Sequence, residues 1–158
     1  MSMLRIILAL TLTLSLNQPG LTAGMKMRGT LVVISCSINN DKPLEISFGE
    51  AVGVKKVDGV RYKQPLPVDI KCSRAPGDLL NLVFKGTAAS FESTALATQN
   101  SDLGIRLLKE DQPVEVNKPL ILDENAIPKF YAVPVKRADS LLVGGQFNAL
   151  ATLAIILE

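Results

Sequence analysis

Apolar residues recur at every second position through most of this chain. Leu44, Ile46 and Phe48 alternate with Glu45 and Ser47 and stop at Gly49. Val68, Ile70 and Cys72 alternate with Asp69 and Lys71. The same spacing joins Leu80, Leu82 and Phe84, then Leu103, Ile105 and Leu107, then Phe130, Ala132 and Pro134. Period two sends successive side chains to opposite faces of a strand, so each run predicts a strand with one apolar face. NNDKP, SRAPGD, TQNSD and KEDQP lie between the runs and carry turn chemistry. Residues 88–96 (AASFESTAL) are read as one more strand, and no helical stretch stands out. Many short strands at regular spacing predict an all-β sandwich.

Both ends of the chain alternate as well. In the closing GGQFNALATLAIILE, Phe147, Ala149, Ala151, Leu153, Ile155 and Leu157 share one wholly apolar face. Gly144 and Gly145 ahead of it read as a bend or a close backbone approach. A last strand this apolar has a far edge, and no later segment is there to cover it. At the other end, in GMKMRGTLVVISC, Met25, Met27, Gly29, Leu31 and Val33 fall on one face, with Lys26, Arg28 and Thr30 on the other. This short strand either opens the chain's own sandwich or is meant for another molecule.

The extreme N-terminus changes the picture of composition. Met1–Arg5 holds one positive charge and no acid, Ile6–Leu16 (IILALTLTLSL) is apolar with Thr and Ser, and Leu21-Thr22-Ala23 offers small or neutral residues. That three-part layout predicts a secretory signal peptide over 1–23, too short to span a bilayer, with cleavage after Ala23. The remaining chain carries sixteen basic and fifteen acidic residues. Near-neutrality gives no drive toward nucleic acid or anionic membrane. The basic cluster in VKKVDGVRYK (Lys55, Lys56, Arg61, Lys63) is read as a solvated loop around an Asp58-Gly59 turn. Export and an even cysteine count predict one disulfide between Cys36 and Cys72. Closing such a loop stabilises the fold by about 4 kcal/mol in the chain-entropy model.

Candidate chemistry is sparse. His is absent, so a Ser or Cys nucleophile has no imidazole base. Two cysteines without His do not make a zinc site. No Gly-rich phosphate loop opens a helix. These residues predict no enzyme, no cofactor and no metal.

The ordered set of segments resembles the subunits of chaperone–usher fimbriae, in particular the small minor or adaptor pilins. MKMRGTLVVISCSI is similar to that family's alternating donor segment, glycine and first cysteine. ISFGE, VDIKC with Cys72, LVFKG and DLGIRLL follow in the family's order. Gly145 is fourteenth from the end and opens G-x-F-x-A-x-A-x-L-x-I, the family's C-terminal pattern. One departure is Leu157, where the family has a penultimate Tyr: the apolar face is kept and the phenol is lost.

The resemblance implies an incomplete immunoglobulin-like β-sandwich lacking its last strand, completed by a donor strand from another chain. It implies a donor segment over 24–35 with Met25, Met27, Gly29 and Leu31 as plugs, and a pilin domain over 36–158. Its groove would be bordered by the C-terminal strand from Gly145 through Phe147, Ala149, Ala151, Leu153, Ile155 and Leu157. Implied partners are a periplasmic pilus chaperone, an outer-membrane usher and neighbouring pilin subunits, with export through the periplasm to the cell surface. The short mature length favours a minor or adaptor subunit supporting adhesion. The competing expectation is a self-sufficient secreted β-sandwich that binds a ligand, with a site lined by aromatic and polar groups. Two Tyr and no Trp speak against it.

Overall fold

The computed structural model describes residues 25–29, 35–73, 79–123 and 125–156. The expected leader, its cleavage point, Leu31 and Leu157 lie outside them. The chain divides into two compact units, Met1–Val32 and Val33–Glu158. Within the first unit, residues 25–29 are exposed and belong to no strand.

Eleven strands are found among the described residues of the second unit: β1 (Cys36–Ile38), β2 (Gln64–Leu66), β3 (Ile70–Cys72), β4 (Leu79–Gly86), β5 (Ala88–Ala89), β6 (Glu92–Ala97), β7 (Leu103–Lys109), β8 (Gln112–Pro113), β9 (Pro119–Asp123), β10 (Phe130–Lys136) and β11 (Ala151–Ile156). All pairings are antiparallel. One sheet runs β2-β10-β7-β6-β5, with β8 folded back on β7, and a second runs β11-β4-β9. β1 pairs with β3 in the register Cys36↔Cys72, and those two cysteines are disulfide-bonded.

The two larger sheets enclose one core. Leu80, Leu82 and Phe84 of β4 pack with Ile105 and Leu107 of β7 and Phe130 and Ala132 of β10. Phe84 and Phe130 meet edge to face, centroids 5.4 Å apart. Each such fully buried side chain is worth roughly 1.5–3 kcal/mol relative to exposure. The period-two runs of the sequence are therefore the inward rows of the sandwich.

The outer face of the β7–β10 sheet is also covered. Val57 and Val135 are buried, and Gly59, at φ +78°, lies so close that a β-carbon there would stand 2.9 Å from Arg106 Nη1. The turn forms as expected: Asp58 Oδ1 accepts the backbone N–H groups of Val60 (3.0 Å) and Arg61 (2.8 Å). Those bonds, Arg61's first, hold the Asp58 carboxyl below its ordinary value. Lys55, Lys56 and Arg61 are exposed, but Lys63 is half-buried, its Nζ paired with Asp111 and 3.9 Å from the Tyr131 ring centroid, so only part of the cluster is solvated while Val57 anchors its loop. On the same face Arg106 donates to both carboxylate oxygens of Glu92.

Several expectations need correction. Residues 88–96 are not one strand but a hairpin, β5 and β6 joined at Ser90–Phe91. Leu44, Ile46 and Phe48 are not in a strand, because among the described residues their backbone has no ladder to join. The last strand begins at Ala151, not Phe147, because β4 supports it only from Gly86 onward. β2 and β9 were not anticipated. Both contain Pro and both lie at sheet edges, where a missing N–H is tolerated.

Candidate functional site: an open apolar groove

The floor of the site follows from the core. Phe84, Leu96, Ile105, Leu107 and Ala132 point from β4, β6, β7 and β10 into a groove of about 810 Å³. Phe84, Ile105, Leu107 and Ala132 belong to the inward rows, so the groove is a stretch of hydrophobic core left without a roof.

Two walls flank it. One is β11 with the residues before it: Phe147, Ala149, Ala151, Leu153 and Ile155 all line the groove. Leu153 and Ile155 stand opposite Phe84 and Leu82 of β4. Phe147, Ala149, Leu153 and Ile155 are half-buried against the core, while Ala151 is exposed. β11 is the end strand of its sheet, and its other edge has no ladder partner among the described residues. The second wall is 44–48. Leu44, Ile46 and Phe48 are half-buried and line the groove, whereas Glu45 and Ser47 are exposed. The segment thus keeps the burial rhythm of a strand without the hydrogen bonds of one. Across the groove the Phe48 and Phe147 rings lie 6.0 Å apart.

The chemistry of the lining is simple. Its charged members are Asp41 and Lys42, joined by Asn39, Asn148 and Thr152 as polar groups. Among the described residues no cluster of three or more His, Cys, Asp or Glu could hold a metal. What the groove offers is apolar area between two unpaired backbone edges, and that combination accepts an alternating strand.

The sequence-derived positions distribute as follows. Cys36 joins the lining, and its disulfide to Cys72 ties β1 to β3 beside the core. Gly145 sits at a bend, and nothing lies within 4 Å of a β-carbon built there, so the close approach is not found. Met25 and Met27 are 81% and 83% exposed. Lys26 and Arg28, on the opposite face of the expected strand, are exposed too. The groove floor and the 44–48 wall were not singled out as site residues; their signal was the same period-two alternation.

Among the described residues, the chain is an all-β sandwich with an apolar groove between unpaired edges. The chain belongs to the fimbrial protein family, whose model matches residues 25–158. It is similar to the uncharacterized fimbrial-like protein YfcQ of Escherichia coli K12, 32% identical over 77% of this chain and 78% of that one. It is also similar to the fimbrial adapter PapF of Escherichia coli, 25% identical over 94% of this chain and 97% of that one. The solved structure of the P pilus rod subunit PapA superposes with a TM-score of 0.59 at 19% identity, covering 85% of this chain and all of that one. Proteins of this family form surface fimbriae, and this chain is a pilus subunit.

Proposed function

We propose that this subunit polymerises by donor-strand exchange: its groove takes an alternating strand from a neighbouring subunit, and its own residues 24–35 fill a neighbour's groove. The observation that carries this reading is the roofless core between β11 and 44–48. A strand laid there gains a ladder on both sides and buries alternate side chains. Met25, Met27 and Leu31 are the plugs; unbranched Met adapts to irregular pockets. In the neighbour's groove Gly29 lets the donor backbone approach where a side chain would not fit. Three such plugs at roughly 1.5–3 kcal/mol each, plus the ladder, make the exchange hard to reverse. Because each subunit gives at one end and receives at the other, the contact does not close and builds a fibre.

Before incorporation the same groove is an aggregation hazard. A periplasmic chaperone lends a strand during transit, and an outer-membrane usher is where the neighbour's segment replaces it. The subunit acts without catalysis, after export through the periplasm, at the cell surface. The likeness to PapF, an adapter, supports a minor or adaptor position. The ligand-binding alternative is not favoured: the groove floor is aliphatic and phenyl, without the convergent polar groups a sugar site requires.

The test is a photo-crosslinking residue at Ala151 in assembled fimbriae. Capture of a neighbouring subunit's N-terminal segment, identified by mass spectrometry, is the expected result. Fibres that form normally while Ala151 captures no such segment contradict the reading.

A further inference from the structure

We propose that the groove selects a donor strand whose solvent-facing positions are basic: a neighbour with Lys or Arg between its apolar plugs, a description that a second copy of this chain also meets. This rests on the donor-strand reading and adds the chemistry of the partner, which that reading leaves open.

The apolar floor discriminates poorly by itself. Any alternating strand with plugs of suitable size buries similar area against Phe84, Ile105 and Leu107. The outward half of the inserted strand is a separate matter. Its solvent-facing side chains lie beside the outward residues of both walls, about 4.5–5.5 Å away when directly opposite and about 7–8 Å on the diagonal.

The two walls differ in charge. Residues 141–156, β11 included, hold no Asp, Glu, Lys or Arg. On that side Lys85 of β4 stands opposite Thr152, one strand beyond the groove edge. The 44–48 wall is acidic. Glu45 is exposed between Leu44 and Ile46, which line the groove, so its carboxylate stands at the rim. Asp41 precedes this wall and Glu50 follows it, both exposed, against a single base, Lys42. Asp58, Asp69, Glu92, Asp102, Asp111 and Glu115 are each ion-paired within the chain. Asp41, Glu45 and Glu50 have no ion-pair partner among the described residues.

The chain's own donor segment has the converse character. Lys26 and Arg28 alternate with the plugs Met25 and Met27, both cations are exposed, and residues 24–35 contain no acid. Inserted with its plugs inward, such a strand turns its cations to the same side as Glu45. Acids stand at 41, 45 and 50, along the whole wall, so a basic position meets a carboxylate whichever way the strand runs. Exposed pairs of this kind add little affinity. Their effect falls on the choice of partner and the rate of encounter.

The experiment is a competition for the groove. The mature chain is refolded at high dilution with an equal excess of two peptides spanning 24–35, one of native sequence and one carrying Lys26→Glu and Arg28→Glu. Native mass spectrometry identifies which is bound. The parent should take the basic peptide over the acidic one by about three- to tenfold, the range that one or two cross-strand charge pairs allow. Glu45→Gln should narrow that ratio and Glu45→Lys should narrow it further; Glu45 is exposed, so neither change disturbs the core. Salt at about 1 M should bring the ratio close to one. Equal capture of both peptides by the parent overturns the proposal. A ratio that neither Glu45 variant moves also overturns it, since the preference would then not come from the rim. A third peptide, with both cations replaced by Ser, separates the two readings. If it is captured while the charged peptides do not differ, donor-strand exchange stands and the charge proposal falls. If no peptide is captured, donor-strand exchange itself is refuted and the proposal falls with it.

Discussion

In the proposed exchange Met27 and Leu153 are reciprocal positions, one offered to a neighbour and one kept. Met27 is exposed and belongs to the segment proposed to leave. Met27→Asp should leave the subunit's fold and chaperone binding intact, and stop it from entering a neighbour's groove by burying an unpaired charge. Normal incorporation of this variant, scored in sheared fimbriae, would remove Met27 from the plugs. Leu153 packs against the core from the groove wall. Leu153→Asp should destabilise the strand-filled form by about 3 kcal/mol or more and lower chaperone-bound yield. Unchanged yield would contradict its place in the wall. Glu92 tests a different contact. Hydrogen bonds from Arg106 hold its carboxyl below the ordinary 4.5, against an opposing effect of partial burial. A depressed folded value means this stabilisation is present above that ordinary value and fades as pH falls through the folded value. Glu92→Gln should therefore lower the melting temperature at pH 7 and flatten its decline on acidification below the carboxylate range. Parallel curves for parent and variant would show that the pair adds nothing.

At the level of elements, legibility in the sequence depended on whether a segment's burial was set by itself or by its neighbours. Leu80, Leu82 and Phe84, with Ile105 and Leu107, were readable because each run has one face against the core. The Cys36–Cys72 bond was readable from export and count. β2 and β9 were missed because Pro65 and Pro119 argue against a strand until the edge position is known. The hairpin of β5 and β6 was missed because its turn, Ser90–Phe91, has neither Gly, Pro nor Asn. Residues 44–48 and 147–150 read as strands, yet neither joins a ladder among the described residues. Alternation states which face a strand buries; it does not state whether the ladder partner is in the same chain. A segment that alternates in burial but has no ladder should acquire one when the groove fills. Amides in 44–48 should gain protection on donor insertion, whereas those of β7, already paired on both sides, should not. Unchanged exchange in 44–48 would mean the inserted strand pairs with β11 alone.

For the whole molecule the central matter is whether the sandwich is complete. A core floor left open between two walls predicts a chain that is stable only with a strand from elsewhere. Under the proposed exchange the fibre follows from the same deficit, since what covers one subunit's groove is an extension of the next. Thermal unfolding measures the deficit directly. The mature chain is compared with the same chain carrying an alternating apolar donor segment on a flexible C-terminal linker. The account predicts that the fused protein is a soluble monomer with a much higher melting temperature, while the parent aggregates or melts early. Two equally stable monomers would show that the sandwich needs no donor and would contradict it.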